Sequence, residues 1–451
     1  MLGWTKIPRR SEQRVAKSGE LRGPLHTMNS SSRGAAPDEE AETYERRLKR
    51  LHDAEELRVP DRVPLRLMFG FWGARQAGMT CQQAMYDAQA LSAATKAAIL
   101  KYRPDEAMGS HALTSIGSAL DILEFGGLVW PGGGLPPDVP YQYLDKEYMQ
   151  PEEYDEYLED PSGFMLRKYI PRLCGAANGF ALLPDLTNVI HFQFLSLPML
   201  LARPDVLQSL GRLIEAGRRL RETMDESAAF HEEMQRLGFP APRGCFTTAP
   251  YDRVSDFLRG SKGAMLDMFR RRDKLLAMLD KLTTSITRCA INDARATGAR
   301  YAMMPMHWGL DGFMSPKQFG TYYWPPLRRL LLQLIEAGIR PLMLWEGVCN
   351  SRLETIADIP AGKAIYWFEG TDMFRAKQVL GGITCLQGNV PMSLLCTGTP
   401  EETDAYCRRL IEEVGRDGGF ILAPATGVPE SARPENVAAM AAAVRKYNPY
   451  R

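Results

Sequence analysis

YAMMPMHWGLDGFMSPKQFGTYYWPPLRRLLLQLIEAGIRPLMLWEG, residues 301–347, passes from an apolar run to a polar turn, then to a helix and to a second apolar run. Between Phe319 and Ala337 the side chains of Leu327, Leu330, Leu331, Leu334 and Ile335 fall on one helical face. Tyr301 to Met306 and Pro341 to Trp345 are short, apolar and bounded by turns, so each reads as a buried strand. Strand, helix, strand is the repeating unit of a parallel sheet. The same alternation extends outward in both directions. Further strand-like runs are Pro64 to Gly70, Ala107 to His111, Gly244 to Thr248, Ala364 to Phe368, Thr384 to Gly388 and Phe420 to Ala423. With the two above they make eight, which predicts an α/β fold: a single (β/α)8 TIM barrel over residues 43–451.

Helical patterns separate the runs. A charged helix over Thr43 to Glu56 opens the barrel, and another covers Glu401 to Val414 after the start signal Thr399-Pro400. Two stretches break the rhythm. Residues 205–236 read as one long helix. Residues 130–171, rich in Pro, Gly, Tyr and acids, read as an inserted lid whose Tyr141, Tyr143, Tyr148, Tyr154 and Tyr157 could cover a flat ligand. The plainer alternative is a solvated connection that packs its tyrosines on neighbouring helices. Residues 1–42 have no apolar periodicity and read as a disordered or loosely packed arm. Its Lys6, Arg9, Arg10, Arg14 and Lys17 lack the apolar stripe of a targeting peptide, and Met28 offers a second start.

Composition narrows the class of function. With 55 basic and 54 acidic residues the formal charge is +1, so no global field draws the chain to nucleic acid or to an anionic membrane. The most apolar stretch, near 189–201, is interrupted by His191 and Pro198 and is too short to span a bilayer. Eight cysteines stand far apart without a C-x-x-C pair, which suits free thiols in the cytoplasm. A small molecule or another protein is the expected partner.

In a barrel of this kind the chemistry sits where the strands end at their C-terminal side. The residues just past the runs are Arg75 and Gln76, His111, Tyr251, His307 with Asp311, Glu346 and Cys349, Glu369, Gln387 and Asn389, and Thr426. His307 and Asp311, four apart, would pair as a proton donor tuned near neutral pH. Alternatively His307 only satisfies a backbone carbonyl. Glu346 ends a strongly apolar strand, where a carboxylate must be paired, liganded or raised in pKa. Cys349, Cys385 and Cys396 lack the close spacing of a structural zinc site.

Gly312-Phe-Met-Ser-Pro, Leu386-Gln-Gly-Asn-Val, Thr397-Gly-Thr-Pro-Glu-Glu, Gly419-Phe-Ile-Leu, Gly427-Val-Pro and Arg433-Pro-Glu-Asn-Val carry a further signal. Through them the part from Tyr301 to Tyr447 resembles the uroporphyrinogen decarboxylase superfamily, which includes cobalamin-dependent methyltransferases. Weaker likeness reaches back to about residue 60, through Glu147-Tyr-Met, Glu152-Glu-Tyr-Asp and Asp160-Pro. The resemblance implies the same barrel. Decarboxylases of the superfamily carry Arg-Gln-Ala-Gly-Arg, an aspartate in Ser-Asp-Ile-Leu and a late His-Gly-Ile. Here those positions read Arg75-Gln-Ala-Gly-Met79, Leu120-Asp-Ile-Leu and Thr426. The lost arginine weakens recognition of a polycarboxylate, though Asp121, Arg75 and Gln76 stay the candidates for that chemistry. The zinc methyltransferases use a His-x-Cys pair and a distant Cys. Leu344, Glu346 and Thr426 stand in their place, so no zinc is expected.

The resemblance then implies a corrinoid-dependent methyltransferase that moves a methyl group between a small, aromatic or O-/N-methyl compound and the cobalt of a corrinoid, carried by a partner corrinoid-binding protein. Glu346, His307 and Asp311 would handle the proton. Gln387 and Asn389 would orient the substrate, and Arg75, Gln76, His111, Asp121, Tyr251, Trp345, Trp367 and Thr426 would line its pocket. The alternatives are a porphyrinogen decarboxylase and a catalytically silent tetrapyrrole-binding barrel.

Overall fold

A strand overlaps each of the eight apolar runs. The computed structural model describes residues 42–109, 111–241 and 243–450. The expected arm therefore lies, apart from Glu42, outside the described residues. β1 spans Arg66–Met68, β2 Glu106–Met108, β3 Gly244–Phe246, β4 Tyr301–Met306, β5 Arg340–Trp345, β6 Ile365–Phe368, β7 Cys385–Val390 and β8 Phe420–Pro424. β3 to β8 lie side by side in chain order as a six-stranded, all-parallel sheet, and β1 pairs with β2 in the same sense. The fold is α/β with parallel sheets. Two further links join them. Leu65 bridges Leu422 of β8 in parallel, with Leu422 N donating to Pro64 O at 2.9 Å, and Ala107 N of β2 donates to Pro240 O at 2.7 Å, just ahead of β3.

The pleat sorts side chains onto two faces. Tyr301, Leu342, Leu344, Ile365, Trp367, Cys385, Ile421 and Ala423 form one apolar cluster, while Met304, Met306, Met343, Trp345, Tyr366 and Phe368 belong to the large cluster shared with the helices. Register then fixes the site. Met306 is opposite Trp345, and Trp345 opposite Phe368, so the residues that follow them, His307, Glu346 and Glu369, leave their strands at one level. Toward the strands' other ends the first face is polar. Arg66 donates to Gln387 Oε1 at 2.6 Å and pairs with Glu106, while Tyr301 donates to Glu55 at 2.8 Å.

The segment expected to be a lid divides in two. Leu128–Pro131, Gly134–Leu135 and Gln142–Tyr143 form a small three-stranded sheet that no alternation announced. Tyr148, Tyr154 and Tyr157, by contrast, are buried in the core, and Tyr154 donates to Asp267 Oδ2 at 2.9 Å. These three follow the plainer reading, and Tyr141 packs edge-on against Phe71 of helix Gly70–Gln76, while Tyr143 is exposed. The long helix is present as Pro204–Arg236. No helix among the described residues is long and apolar enough to cross a membrane.

Candidate functional site

The centre is built by three strand ends and one helix. Helix Pro250–Phe257 follows β3, opens with proline at its first position and sets Asp252 and Asp256, four apart, on one face. Between them and β5 sits His307. Its Nδ1 lies 2.7 Å from Asp256 Oδ2 and its Nε2 3.2 Å from Glu346 Oε2. Asp252, buried, accepts from His307 N at 3.0 Å, from Trp308 N at 3.3 Å and from the Tyr323 hydroxyl at 2.7 Å. Asp256 also accepts from the Trp308 indole. One carboxylate thus fixes the backbone of the loop and two hold the ring.

Burial opposes a charge on His307, but the hydrogen bonds to Asp256 and Glu346 and the charges of Asp252 and Asp256 outweigh it and raise the imidazole to about 11. Both ring nitrogens donate, so the ring is an imidazolium at neutral pH. The expectation of a donor tuned near neutrality is corrected. Nitrogen NMR should show the imidazolium through neutral pH and lose it only near pH 11; a neutral ring at pH 8 would contradict the geometry. Burial, and after it the charge of Asp256, raises Asp252. Burial and then Glu346 likewise raise Glu369. Among the described residues no lysine or arginine pairs with Asp252, Asp256, Glu346 or Glu369.

Asp311 is not the partner of His307. Its carboxylate accepts from Ser351 N at 3.1 Å and Oγ at 2.7 Å and lies 3.5 Å from Arg352 Nε, tying two loops together. A spacing of four makes neighbours only on a helix, and residues 307–311 form an irregular turn. Asp252 and Asp256 were missed, although their spacing on a helix straight after a strand was visible.

Most of the expected lining residues lie elsewhere. Trp345 is buried on the helix side, edge-on to Tyr366, and Tyr251 is buried against Tyr323. Trp367 is buried on the sheet's other face with its indole donating to Pro424 O at 2.9 Å, and Gln387 is sealed beside it on Arg66. Asn389 donates to Thr371 O at 2.8 Å and Glu369 O at 3.3 Å, so it braces the loop carrying Glu369. His111, buried against Phe230 and 2.8 Å from Ser92 Oγ, is depressed to about 4 by burial and then by His231, and stays neutral. Arg75 and Gln76 are exposed at the end of helix Gly70–Gln76. Asp121 is exposed too, accepting from the Tyr86 hydroxyl at 2.8 Å. Thr426 is half-buried beside Met392. Of the thirteen, His307 and Glu346 are the pair in direct contact.

Around this centre the loops expose large apolar side chains: Phe313 after β4, Val348 after β5 and Met392 after β7. Tyr141 and Tyr143 meet edge to face, 5.8 Å between centroids. Burial first, then Tyr143, raises the Tyr141 phenol, and the Glu346 charge adds to the rise. No three His, Cys, Asp or Glu side chains among the described residues are grouped to share a metal ion. Cys349 is buried, 3.1 Å from Thr371 Oγ1, with its thiol pushed up to about 12 by burial. A thiol reagent should therefore label exposed Cys289 at once, half-buried Cys245 and Cys396 more slowly, and Cys349 only on unfolding.

Comparison with known proteins adds the family. Residues 200–447 match the family model for uroporphyrinogen decarboxylase (URO-D). Three curated relatives are uroporphyrinogen decarboxylases. The one from Idiomarina loihiensis is 26% identical over 253 residues (55% of this chain, 67% of the relative), and that from Syntrophotalea carbinolica 28% over 172 (38% and 48%). The third, from Methylococcus capsulatus, is 27% identical over 225 residues (48% and 62%). The matched part thus spans about half to two-thirds of those proteins. Among solved structures, a methyltransferase from Methanosarcina mazei superposes with a TM-score of 0.54 at 17% identity, covering 90% of this chain and 98% of that one, a likeness of fold. With more than half its length matched and the fold shared across nearly all of it, the chain belongs to the uroporphyrinogen decarboxylase (URO-D) family.

Proposed function

We propose that the protein is a corrinoid-dependent methyltransferase on a closed (β/α)8 barrel, exchanging a methyl group between a small O- or N-methyl compound and a corrinoid carried by a partner protein. The links from β8 to β1 and from β2 toward β3 support closure of the ring. The observation that carries the reaction is the charge of the centre: two carboxylates hold the His307 imidazolium, a third fixes its loop, and among the described residues no lysine or arginine pairs with them. Such a site repels a polycarboxylate and suits proton exchange with a single oxygen or nitrogen. When a methyl ether is broken, the departing phenoxide or alkoxide needs a proton. His307 Nε2, beside Glu346, is the donor, and Asp256 on Nδ1 keeps the ring oriented and charged. With its pKa raised by the carboxylates around it, the imidazolium keeps its proton until a strongly basic oxygen such as a departing phenoxide takes it.

The exposed rim of Phe313, Val348, Met392 and Tyr143 fits the apolar face of a flat macrocycle, and these residues would hold the corrinoid against the site. When bound, the corrinoid supplies the centre that takes or gives the methyl group. Asp252 fixes the loop on which His307 and Trp308 ride, and Asn389 that of Glu369.

A second reading, decarboxylation of porphyrinogen carboxylates, rests on the names of the curated relatives. Its candidates are Asp121, Arg75 and Gln76. A tetrapyrrole-binding barrel without chemistry is the third. The test separates all three: purified protein, reduced cobalamin and a panel of methoxyaromatics and methylamines should give demethylated product with a matching change in the corrinoid's visible absorption. Carbon dioxide from uroporphyrinogen without cobalamin would favour the second reading instead. Corrinoid binding with neither product would leave the third.

A further inference from the structure

Gly109 follows β2 directly, and helix Pro204–Arg236 brings Phe230 and His231 against it. A Cβ built on Gly109 would stand 2.9 Å from His231 Nε2, 3.3 Å from His111 Nδ1 and 3.3 Å from the Phe230 ring. Two imidazole nitrogens thus converge on one spot, which is open to them because residue 109 has no side chain. Both nitrogens are buried, and among the described residues neither has a hydrogen-bond partner. The rings themselves are held. His111, 1% exposed, has its other nitrogen, Nε2, 2.8 Å from Ser92 Oγ. The Phe230 ring packs against both imidazoles, with centroids 5.2 Å from His111 and 5.4 Å from His231.

Buried polar atoms in folded proteins are nearly always paired, so two orphans aimed at one spot call for a shared occupant. Burial favours the neutral imidazole, and a neutral ring whose proton sits on one nitrogen offers a lone pair on the other. Such lone pairs suit a first-row transition ion better than Mg²⁺ or Ca²⁺, which take oxygen ligands. A histidine that binds metal characteristically anchors its second ring nitrogen, as Ser92 does for His111. The surroundings favour a cation. Glu226, whose charge acts on His111, lines a crevice of about 300 Å³ in which Asp87, Glu222 and Glu226 outnumber Arg219. That acidic crevice gathers cations beside the pair.

We propose that His111 and His231 together bind Zn²⁺ between the end of β2 and helix Pro204–Arg236, with solvent completing its coordination. The site uses none of the residues around His307, and the inference does not depend on the reaction assigned above. Titration of the chelator-treated full chain with Zn²⁺ should show one ion per chain bound with a micromolar Kd. Nitrogen NMR should then show the His111 and His231 rings shifting while exposed His191 stays where it was. Ser92→Ala should weaken binding by about tenfold, the lower end of what outer partners of a metal site cost, and His231→Ala by more than about a hundredfold. Gly109→Ala, which sets a methyl group against both nitrogens, should abolish binding and serves if His231→Ala fails to fold. His191→Ala should leave it unchanged. Mg²⁺ in roughly thousandfold excess should not compete, because imidazole is a poor ligand for it. No uptake of Zn²⁺, the result if only a water bridges the two nitrogens, overturns the proposal. So does uptake that His231→Ala and Gly109→Ala leave intact, or that Mg²⁺ displaces, since the ion would then sit on carboxylates.

Discussion

His307→Gln should lower kcat/KM for the proposed methyl transfer by roughly a hundred- to ten-thousand-fold, the range in which a positioned acid or base contributes. Glutamine retains hydrogen-bonding groups but has neither the charge nor a proton to give. If the proton moves in the transition state, the loss falls in kcat, with KM little changed. Asp256→Asn tests the same idea from the other side of the ring. It removes the partner that holds Nδ1–H and so lowers the imidazole's pKa, shifting the alkaline limb of the rate profile to lower pH. The stability profile carries a matching sign. Because the folded-state value is raised, the stabilisation from the charged ring is fully present below about 6.5, declines as pH rises, and is gone above about 11. The difference in stability between the protein and His307→Gln should therefore shrink on the alkaline side. A variant within threefold of the parent rate would remove His307 from the mechanism.

The strands were legible because a strand covered on both faces must be apolar throughout, and Tyr301–Met306 and Arg340–Trp345 are runs of that kind between sharp polar turns. His307 and Glu346 were legible for a related reason, as the first residues past those runs. What sequence position does not reveal is side-chain direction. Trp345, next to Glu346, points into the helix layer, while Trp367, one strand over, points into the sheet's other face, and neither reaches the acidic centre. Asp311 misled because a spacing rule for helices was applied to a turn. Asp252 and Asp256 show the opposite case: on a real helix the spacing of four does bring two acids to one face, just past Tyr251. The tyrosines of 141–157 could not be sorted by composition. The same residue type serves as core at Tyr154 and as rim at Tyr143, and the difference is Asp267, more than a hundred residues away in the chain.

Remote pairing also decides the second large effect. Asp105→Ala should destabilise the protein by about 3–5 kcal/mol in urea unfolding, the range for removing one member of a buried charge pair. Asp105 is fully buried, 2.6 Å from Arg50 and 2.8 Å from Arg62, and it accepts from Leu65 N at 2.7 Å. It thereby fastens the first helix, Tyr44–Glu55, to the strand ends at β1 and β2. Removing it leaves the Leu65 N–H without its acceptor and takes a carboxylate from two buried guanidiniums at once. Arg50 keeps Asp61 at 2.6 Å and Glu42 at 2.9 Å, and Arg62 keeps Glu42 at 3.3 Å, which places the loss toward the lower end of the range. Asp61→Ala supplies the contrast. That carboxylate is 39% exposed, and its loss should cost well under half as much. Burial opposes the Asp105 charge, but Arg62 and Arg50 outweigh it and hold its pKa below the ordinary value. Its stabilisation is thus present above about pH 4 and lost as pH falls through the lower folded-state value, so parent and variant should converge in acid. A loss below 1 kcal/mol at neutral pH would mean that Asp61 and Glu42 suffice for the two arginines, and that Asp105 does not fasten the helix.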